Sequence, residues 1–326
     1  MLVVTGAAGF IGSNLLAALH EAGAGVVMGI DTRETEDKKA NVANCPDVTW
    51  VNPDRTFEAL ADNIADIAAV IHLGAETSTT ATDREAVFAV NVTLSQNLWR
   101  FCSKNGTPFI YASSASVYGD GSSGFRCNTS GSAMDAMQPL NLYGESKLAF
   151  DRYVAQAIED GDPRPPQWAG LRFFNVYGPR ERHKGSQASV VTQMVPTAAR
   201  GEPYSLFRSH REGIADGNQA RDFIYVGDCL AVILWLLDHQ NISGLFNVGT
   251  GDARTFLDLA KAVYAAAGQP FRVDWRDTPQ SLRAHYQYFT EADLTGLREA
   301  GYNNAFTSLE DGVSMTVREY MRDAAL

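Results

Sequence analysis

The sequence predicts an α/β protein, a doubly wound parallel sheet with a smaller, discontinuous α/β unit attached. Three observations predict it. Short apolar runs alternate with amphipathic stretches through the first half of the chain, the signature of strands joined by covering helices. A glycine turn links the first apolar run to the first amphipathic stretch. After Asn175 the alternation gives way to a segment rich in Gly, Pro, Ser, Arg and His, and apolar runs then resume.

Taken in order, LVVTG (2–6), GVVMGID (25–31), AAVIHLGA (68–75), PFIYASS (108–114) and WAGLRFFNV (168–176) read as strands, being short and rich in branched and aromatic residues. Residues 13–22, 85–104 and 143–159 read as the helices between them, with right-handed crossovers. A further helix is expected over 189–200. RDFIYVGD (221–228) and GLFNVGTG (244–251) look like a return to the sheet, and from Thr255 onward helices and short strands of another unit follow.

Composition excludes several classes. The 326 residues are 45% hydrophobic and 20% charged, enough for more than one average domain with a real core. A net charge of −11 gives no global attraction to nucleic acid or to anionic membrane, so an anionic ligand needs a local basic cluster. The longest apolar run, near 230–237, falls far short of the roughly 20 residues that span a bilayer. The apolar N-terminus has no basic leader and reads as a first strand, not a signal peptide. Cys45, Cys102, Cys127 and Cys229 form no CxxC pair and no cluster with histidine, so reduced thiols, a cytoplasmic location and no metal site are expected.

Gly6-Ala7-Ala8-Gly9-Phe10-Ile11-Gly12 follows a strand and opens a helix. Glycines there let backbone amides approach a pyrophosphate at the positive end of the helix dipole. Asp31 ends the second strand, where a carboxylate would meet ribose hydroxyls, and the arrangement is Rossmann-type. Asp31 favours NAD; Arg33, Lys38 and Lys39 would suit the extra phosphate of NADP or form a solvated loop. Residues 1–174 and 221–250 are therefore assigned to an NAD(P)-binding domain, and 175–220 and 251–326 to a substrate domain. The cleft between them is the natural site.

Tyr143-Gly144-Glu145-Ser146-Lys147 gives Tyr-x-x-x-Lys, which puts both side chains on one helix face. An ammonium beside a phenol stabilises phenolate, and such a tyrosine can take an alcohol proton as hydride leaves to nicotinamide. Ser114, at the end of the fourth strand, is placed to hydrogen-bond the same oxygen. Arg221, at the start of a strand, suits a diphosphate, the alternative being a structural ion pair with a nearby carboxylate.

GAAGFIG, VIHLGA, YASSASVYG and YGESK together resemble the extended short-chain dehydrogenase/reductases. Ala115 and Ser116 stand where the nucleotide-sugar dehydratases of that group carry an acidic pair, which disfavours dehydration. RERHKGSQAS after NVYGP, with PLNLYGESK, SGLFNVGTG, QYFTEADLTGLREAGY and EDGV, is similar to the ADP-L-glycero-D-manno-heptose 6-epimerases over nearly the whole chain. That resemblance implies two proton-transfer groups, Tyr143 and Lys184, on opposite faces of carbon six of an ADP-heptose, supported by Ser114 and Lys147. It implies substrate contacts from Ser114, Asn175, Ser186, Phe207, Arg221 and Tyr286, with Gln193 where some members carry a substrate-facing histidine.

The resemblance places cofactor contacts at Phe10, Ile11, Asp31, Lys38, Asn91 and Val176, normally to NADP. Gly6, Gly9, Gly12, Leu73, Gly74, Ala75 and Lys147 complete the expected cofactor site. His183, Arg180 and Arg182 would surround Lys184 with positive charge and favour its basic form. A homo-oligomer is expected. A UDP-hexose 4-epimerase would need no second base at Lys184, and a non-catalytic NADP-sensing protein would usually lose Tyr143 or Lys147.

Overall fold

Apolar runs too short for helices become strands. In the computed structural model, which describes residues 1–128, 130–283 and 286–324, the first six are β1 (Leu2–Thr5), β2 (Val27–Ile30), β3 (Val48–Val51), β4 (Ala69–His72), β5 (Phe109–Ser114) and β6 (Trp168–Phe173). The chain continues through β7 (Asn175–Tyr177), β8 (Tyr204–Phe207), β9 (Ala220–Tyr225), β10 (Gly244–Val248), β11 (Ala253–Thr255) and β12 (Val273–Arg276). The main sheet has seven strands in the order β10-β6-β5-β4-β1-β2-β3, and every pair is parallel. The order reverses between β1 and β4, where a doubly wound sheet opens a crevice at its strand C-termini.

Alternation along each strand supplies both faces with apolar side chains. Val4, Ile71 and Ile110 face one side and pack with Leu15 and Leu19 of the helix Phe10–Glu21 and with Val232, Ile233 and Leu236 of Val226–Asp238. Val3, Val70, Phe109 and Tyr111 face the other, against Leu98, Trp99 and Cys102 of Leu94–Asn105 and Leu148 and Val154 of Leu142–Glu159. A third core joins the helices Val190–Ala199, Phe256–Ala266 and Leu309–Ala324 through Met194, Val263 and Val317. It covers the small sheet β11-β9-β7, and β8 pairs with β12 beside it.

Three expectations need correction. The run at 168–176 is not one strand: β6 stops at Phe173, and β7 pairs with β9 in the small sheet. Of the two segments expected to rejoin the main sheet only β10 does so, alongside β6, whereas β9 lies between β11 and β7. The edge strand β3 and the helix Thr56–Asp62 were not anticipated. Among the described residues no helix is long and apolar enough to cross a membrane.

Candidate active site

Close approach shapes the glycine loop. Gly6 holds φ at +65°, and a Cβ there would sit 2.6 Å from the backbone nitrogen of Gly74. A Cβ on Gly12 would run into the carbonyl oxygen of Gly6. Leu73 N donates to Thr5 O (3.2 Å) and Gly74 N to Thr5 Oγ1 (3.1 Å), so the loop and the segment through Ala75 meet backbone to backbone. Gly9 begins the helix Phe10–Glu21 with no side-chain cap, leaving its positive end bare for an anion. This cradle fits a dinucleotide pyrophosphate. His72 props it from beneath, bridging Thr5 Oγ1 (2.7 Å) and Ser95 Oγ (2.9 Å). Burial, and secondarily the charge of Lys147, push its pKa down to about 3, so it is neutral.

Asp31 turns its carboxylate back onto the loop. Its Oδ2 accepts from Ala8 N at 3.0 Å, and its Oδ1 accepts from Thr32 N and Lys38 Nζ, both at 2.8 Å. Lys38 thus offsets the charge that would face a ribose or its phosphate. The other two cations expected here look elsewhere. Lys39 pairs with Glu36 in solvent (2.6 Å), and Arg33 lies 4.2 Å from the centre of the Trp50 ring. Asn91 is buried and committed within the protein: it exchanges two bonds with the backbone of Glu76 and donates to Ser146 Oγ. Both hydrogens of its amide are spent inside the protein.

The helix Leu142–Glu159 starts where Asn141 accepts from Gly144 N (2.9 Å). A Cβ on Gly144 would lie 2.8 Å from Ser116 O, so glycine lets the first turn press onto the end of β5. That sets Tyr143 beside Ser114. Lys147, one turn on, donates to Ala112 O (2.9 Å) and lies 5.9 Å from the centre of the Tyr143 ring. Burial pushes Lys147 down to about 8, against an upward pull from Asp151. The expected lowering of Tyr143 is not met. Burial raises its phenol, with only the Ser114 bond pulling it back, because Lys147 spends its bond behind the ring and the half-buried phenolate is poorly solvated.

Lys184 sits in the short helical segment Arg182–Gln187, its Nζ 5.2 Å from the centre of the Phe10 ring that begins the glycine-loop helix. The cationic surroundings expected for it are met only in part: His183 stays close enough to feel its charge, while the two arginines turn away. Arg180 donates to Ser13 O (2.6 Å), Arg182 turns to Tyr320, and His183 meets Asn41 and is lowered below its ordinary pKa by burial, Lys38 and Lys184. The charged group beside Lys184 is Glu181, whose Oε1 is 3.8 Å from Nζ. Sequence reasoning missed this carboxylate.

Arg221 on β9 is only 6% exposed. Among the described residues no carboxylate pairs with it. It donates to Ala220 O (2.9 Å) and to Gln287 O, and its guanidinium lies 5.5 Å from the Tyr286 ring centre and 5.6 Å from that of Phe256. Burial pushes it down to about 10. Asp222 next to it points the other way, accepting from Thr250, Gly251 and Ala292. The structural ion pair considered for Arg221 is therefore absent among the described residues. Tyr286 stands edge-on to Phe207 at 6.4 Å, and Arg276 covers the other ring at 4.4 Å. Asn175 and Ser186 are exposed, Val176 is half-buried, and Gln193 spends its amide on Ser186 O (3.2 Å) and Ala188 O (2.7 Å).

Beneath Ser113 and Ser114 lies a buried polar network the sequence did not reveal. Arg172 and Asp151 pair at 2.9 Å with no exposure, Ser113 and Tyr111 donate to Asp151, and Arg172 donates to Tyr118 OH (3.0 Å). Its one visible signal was a lone arginine inside the apolar run at 168–176. Among the described residues no cluster of three His, Cys, Asp or Glu side chains is arranged to hold a metal.

A parallel sheet with a glycine cradle at its switch point, and a Ser–Tyr–Lys constellation beside it, define a nicotinamide-dependent enzyme of the short-chain type. Residues 2–249 match the model of the NAD dependent epimerase/dehydratase family. A relative from Nitratidesulfovibrio vulgaris, named ADP-L-glycero-D-manno-heptose-6-epimerase, is 42% identical over 99% of both chains. The solved Helicobacter pylori protein of the same name is 27% identical, with a TM-score of 0.78 over 98% of this chain and 96% of that one. The UDP-glucose 4-epimerase of Thermus thermophilus, solved in complex with NAD, is 26% identical with a TM-score of 0.78 over 98% of each chain. The chain belongs to the NAD dependent epimerase/dehydratase family, among its ADP-L-glycero-D-manno-heptose-6-epimerases. It is an epimerase that uses a nicotinamide cofactor.

Proposed function

We propose that this enzyme converts ADP-D-glycero-D-manno-heptose to its L-glycero epimer at carbon six by transient oxidation on bound NADP, for lipopolysaccharide core heptose. The observation that carries this reading is the second amine. Lys184 stands over Phe10, the first residue of the glycine-loop helix, while a different lysine, Lys147, accompanies Tyr143. A bound nicotinamide would supply a reversible hydride acceptor for carbon six, so no external redox partner is required.

The chain's own residues do the rest. Tyr143 takes or gives the hydroxyl proton on one face, with Ser114 on the same oxygen and Lys147 holding positive charge behind the ring. Lys184 serves the other face, after the ketone has turned about its bond to the sugar ring. Arg221 holds the diphosphate, and Phe207 and Tyr286 flank the nucleotide. Lys38, by pairing with Asp31, suits NADP over NAD. Residues 1–174 and 221–250 bind the cofactor, and 175–220 with 251–326 the substrate. The active form is a cytoplasmic homo-oligomer.

Purified protein incubated with ADP-D-glycero-D-manno-heptose should yield the L-glycero epimer by NMR without added reductant. Turnover of a UDP-hexose instead would favour a 4-epimerase, and no turnover of either would favour a non-catalytic protein. Mass spectrometry of cofactor released on denaturation should find NADP; NAD alone would overturn that assignment.

A further inference from the structure

Glu181 is a buried carboxylate outside the groups assigned above. It is 0% exposed, yet one of its two oxygens has no hydrogen bond among the described residues. Its Oε2 accepts from Ser189 N (2.6 Å) and Thr192 Oγ1 (3.1 Å). Thr192 has one proton and spends it there, so at their 3.1 Å contact Tyr320 OH is the donor to Thr192 Oγ1. Tyr320 OH in turn accepts from Glu181 N (3.3 Å), which closes a ring of bonds around the carboxylate. Two helices hold this ring: Thr192 is on Val190–Ala199 and Tyr320 on Leu309–Ala324. The side chain has no freedom to turn away. Its remaining oxygen, Oε1, has no hydrogen-bond partner among the described residues and lies 3.8 Å from Lys184 Nζ.

An orphaned buried carboxylate oxygen is destabilising unless a charge compensates it. The Lys184 ammonium compensates it in part: burial raises the Glu181 carboxyl, and Lys184 is the foremost opposing influence. The other charged groups near Lys184 do not compete. Arg180 is drawn to Ser13 O and Arg182 to Tyr320, while Lys38 faces Asp31 and His183 faces Asn41.

We propose that Glu181 is the positioning residue for Lys184: its fixed, unbonded oxygen holds the lysine ammonium over Phe10, aimed into the cleft. Glu181 touches neither substrate nor cofactor; it acts through Lys184. The proposal rests on the reading of Lys184 as the second proton-transfer group, and its test separates the two.

Glu181→Gln is close to isosteric. Its amide oxygen would keep the bonds from Ser189 N and Thr192, which leaves the NH2 group facing Lys184 and turns attraction into repulsion. The variant should retain cofactor and show a KM within about twofold of the parent, while kcat falls about tenfold or more, part of the 10²–10⁴ an acid–base group supplies. Lys184 acylation by a small anhydride, followed by peptide mass spectrometry on the cofactor-loaded protein, should be several-fold faster in Glu181→Gln than in the parent. Exposed Lys39 serves as the internal control. In a Lys184→Met background Glu181→Gln should cost nothing further. Parent-like kcat and parent-like labelling in Glu181→Gln would overturn the positioning role, even where Lys184→Met is inactive. Near-normal turnover of Lys184→Met would instead remove the reading beneath it. If Glu181→Gln does not fold, labelling of the parent alone decides: acylation of Lys184 as fast as that of Lys39 would show that the carboxylate does not hold it.

Discussion

Replacing Arg221 by methionine should separate binding from stability. The guanidinium is buried, and its pKa is depressed from 12.5 to about 10 by burial. A depression of that size corresponds to about 3 kcal/mol spent on keeping the charge out of water. The bonds to Ala220 O and Gln287 O and the Tyr286 and Phe256 rings return part of this, at about 1 kcal/mol or less apiece. Methionine fills much of the volume without the charge. Ligand-free Arg221→Met should therefore be as stable as the parent, or more stable by up to ~2 kcal/mol. Binding should move the other way, because losing a charge-assisted bond to phosphate costs about 1.5–3 kcal/mol, or roughly 10- to 150-fold in affinity. Scanning calorimetry reads the first quantity. Titration calorimetry with ADP reads the second, with KM for the ADP-heptose as a check. A Tm several degrees lower with unchanged ADP affinity would refute the reasoning and make Arg221 a structural residue.

Lys184→Met and Tyr143→Phe should each fold and keep cofactor but lose epimerisation by about 100-fold or more, measured by NMR of the epimer ratio; near-normal turnover of either sinks the two-base scheme. Substrate deuterated at carbon six should epimerise with its label retained, and washout into water would point to simple deprotonation of carbon. Lys147 gives a pH signature of definite sign. Its folded value, about 8, lies below the ordinary 10.5, so between those values the folded protein holds fewer protons than the unfolded one, and stability rises with pH. Urea midpoints of the ligand-free parent should climb from pH 8 to 10 relative to Lys147→Met, by up to about 3 kcal/mol over the full window; parallel curves would show that Lys147 is not held buried and charged.

What was legible in the sequence is what chemistry forces into fixed local spacing. The glycines of the loop, Asp31 after the second strand, and Tyr143 four residues before Lys147 each depend on one turn or one helix face. Sheet membership does not. The segment around Arg221 has the composition of a central strand, and only the break at Phe174, which sends β7 out of the main sheet, gives β9 another partner. Strand β3 escaped notice because it is a four-residue edge strand with no buried position. The electrostatics were least legible of all. Arg180, Arg182 and His183 look like a cationic nest around Lys184 when written in a line. Folded, the two arginines turn to other partners, His183 bonds Asn41 while still feeling the charge of Lys184, and a glutamate joins them. Tyr143 likewise titrates upward because burial, which has no local sequence signature, outweighs its neighbours.

The segment that carries Lys184 is fastened on both flanks. Asn14 and Asn41 hold Pro179 O and Arg180 O from the cofactor side, while Ser189, Thr192 and Tyr320 grip Glu181 from the substrate side. A separation that broke the first set, on the side that carries Phe10, would take Lys184 from its station over that ring. In the proposed reaction this makes enclosure a timing device. The second proton donor would leave its place only where those bonds are lost, and a ketone exposed at that moment would meet water with half the acid–base equipment withdrawn. Faithful inversion would then be governed by how long the walls stay shut as much as by the reactivity of either base.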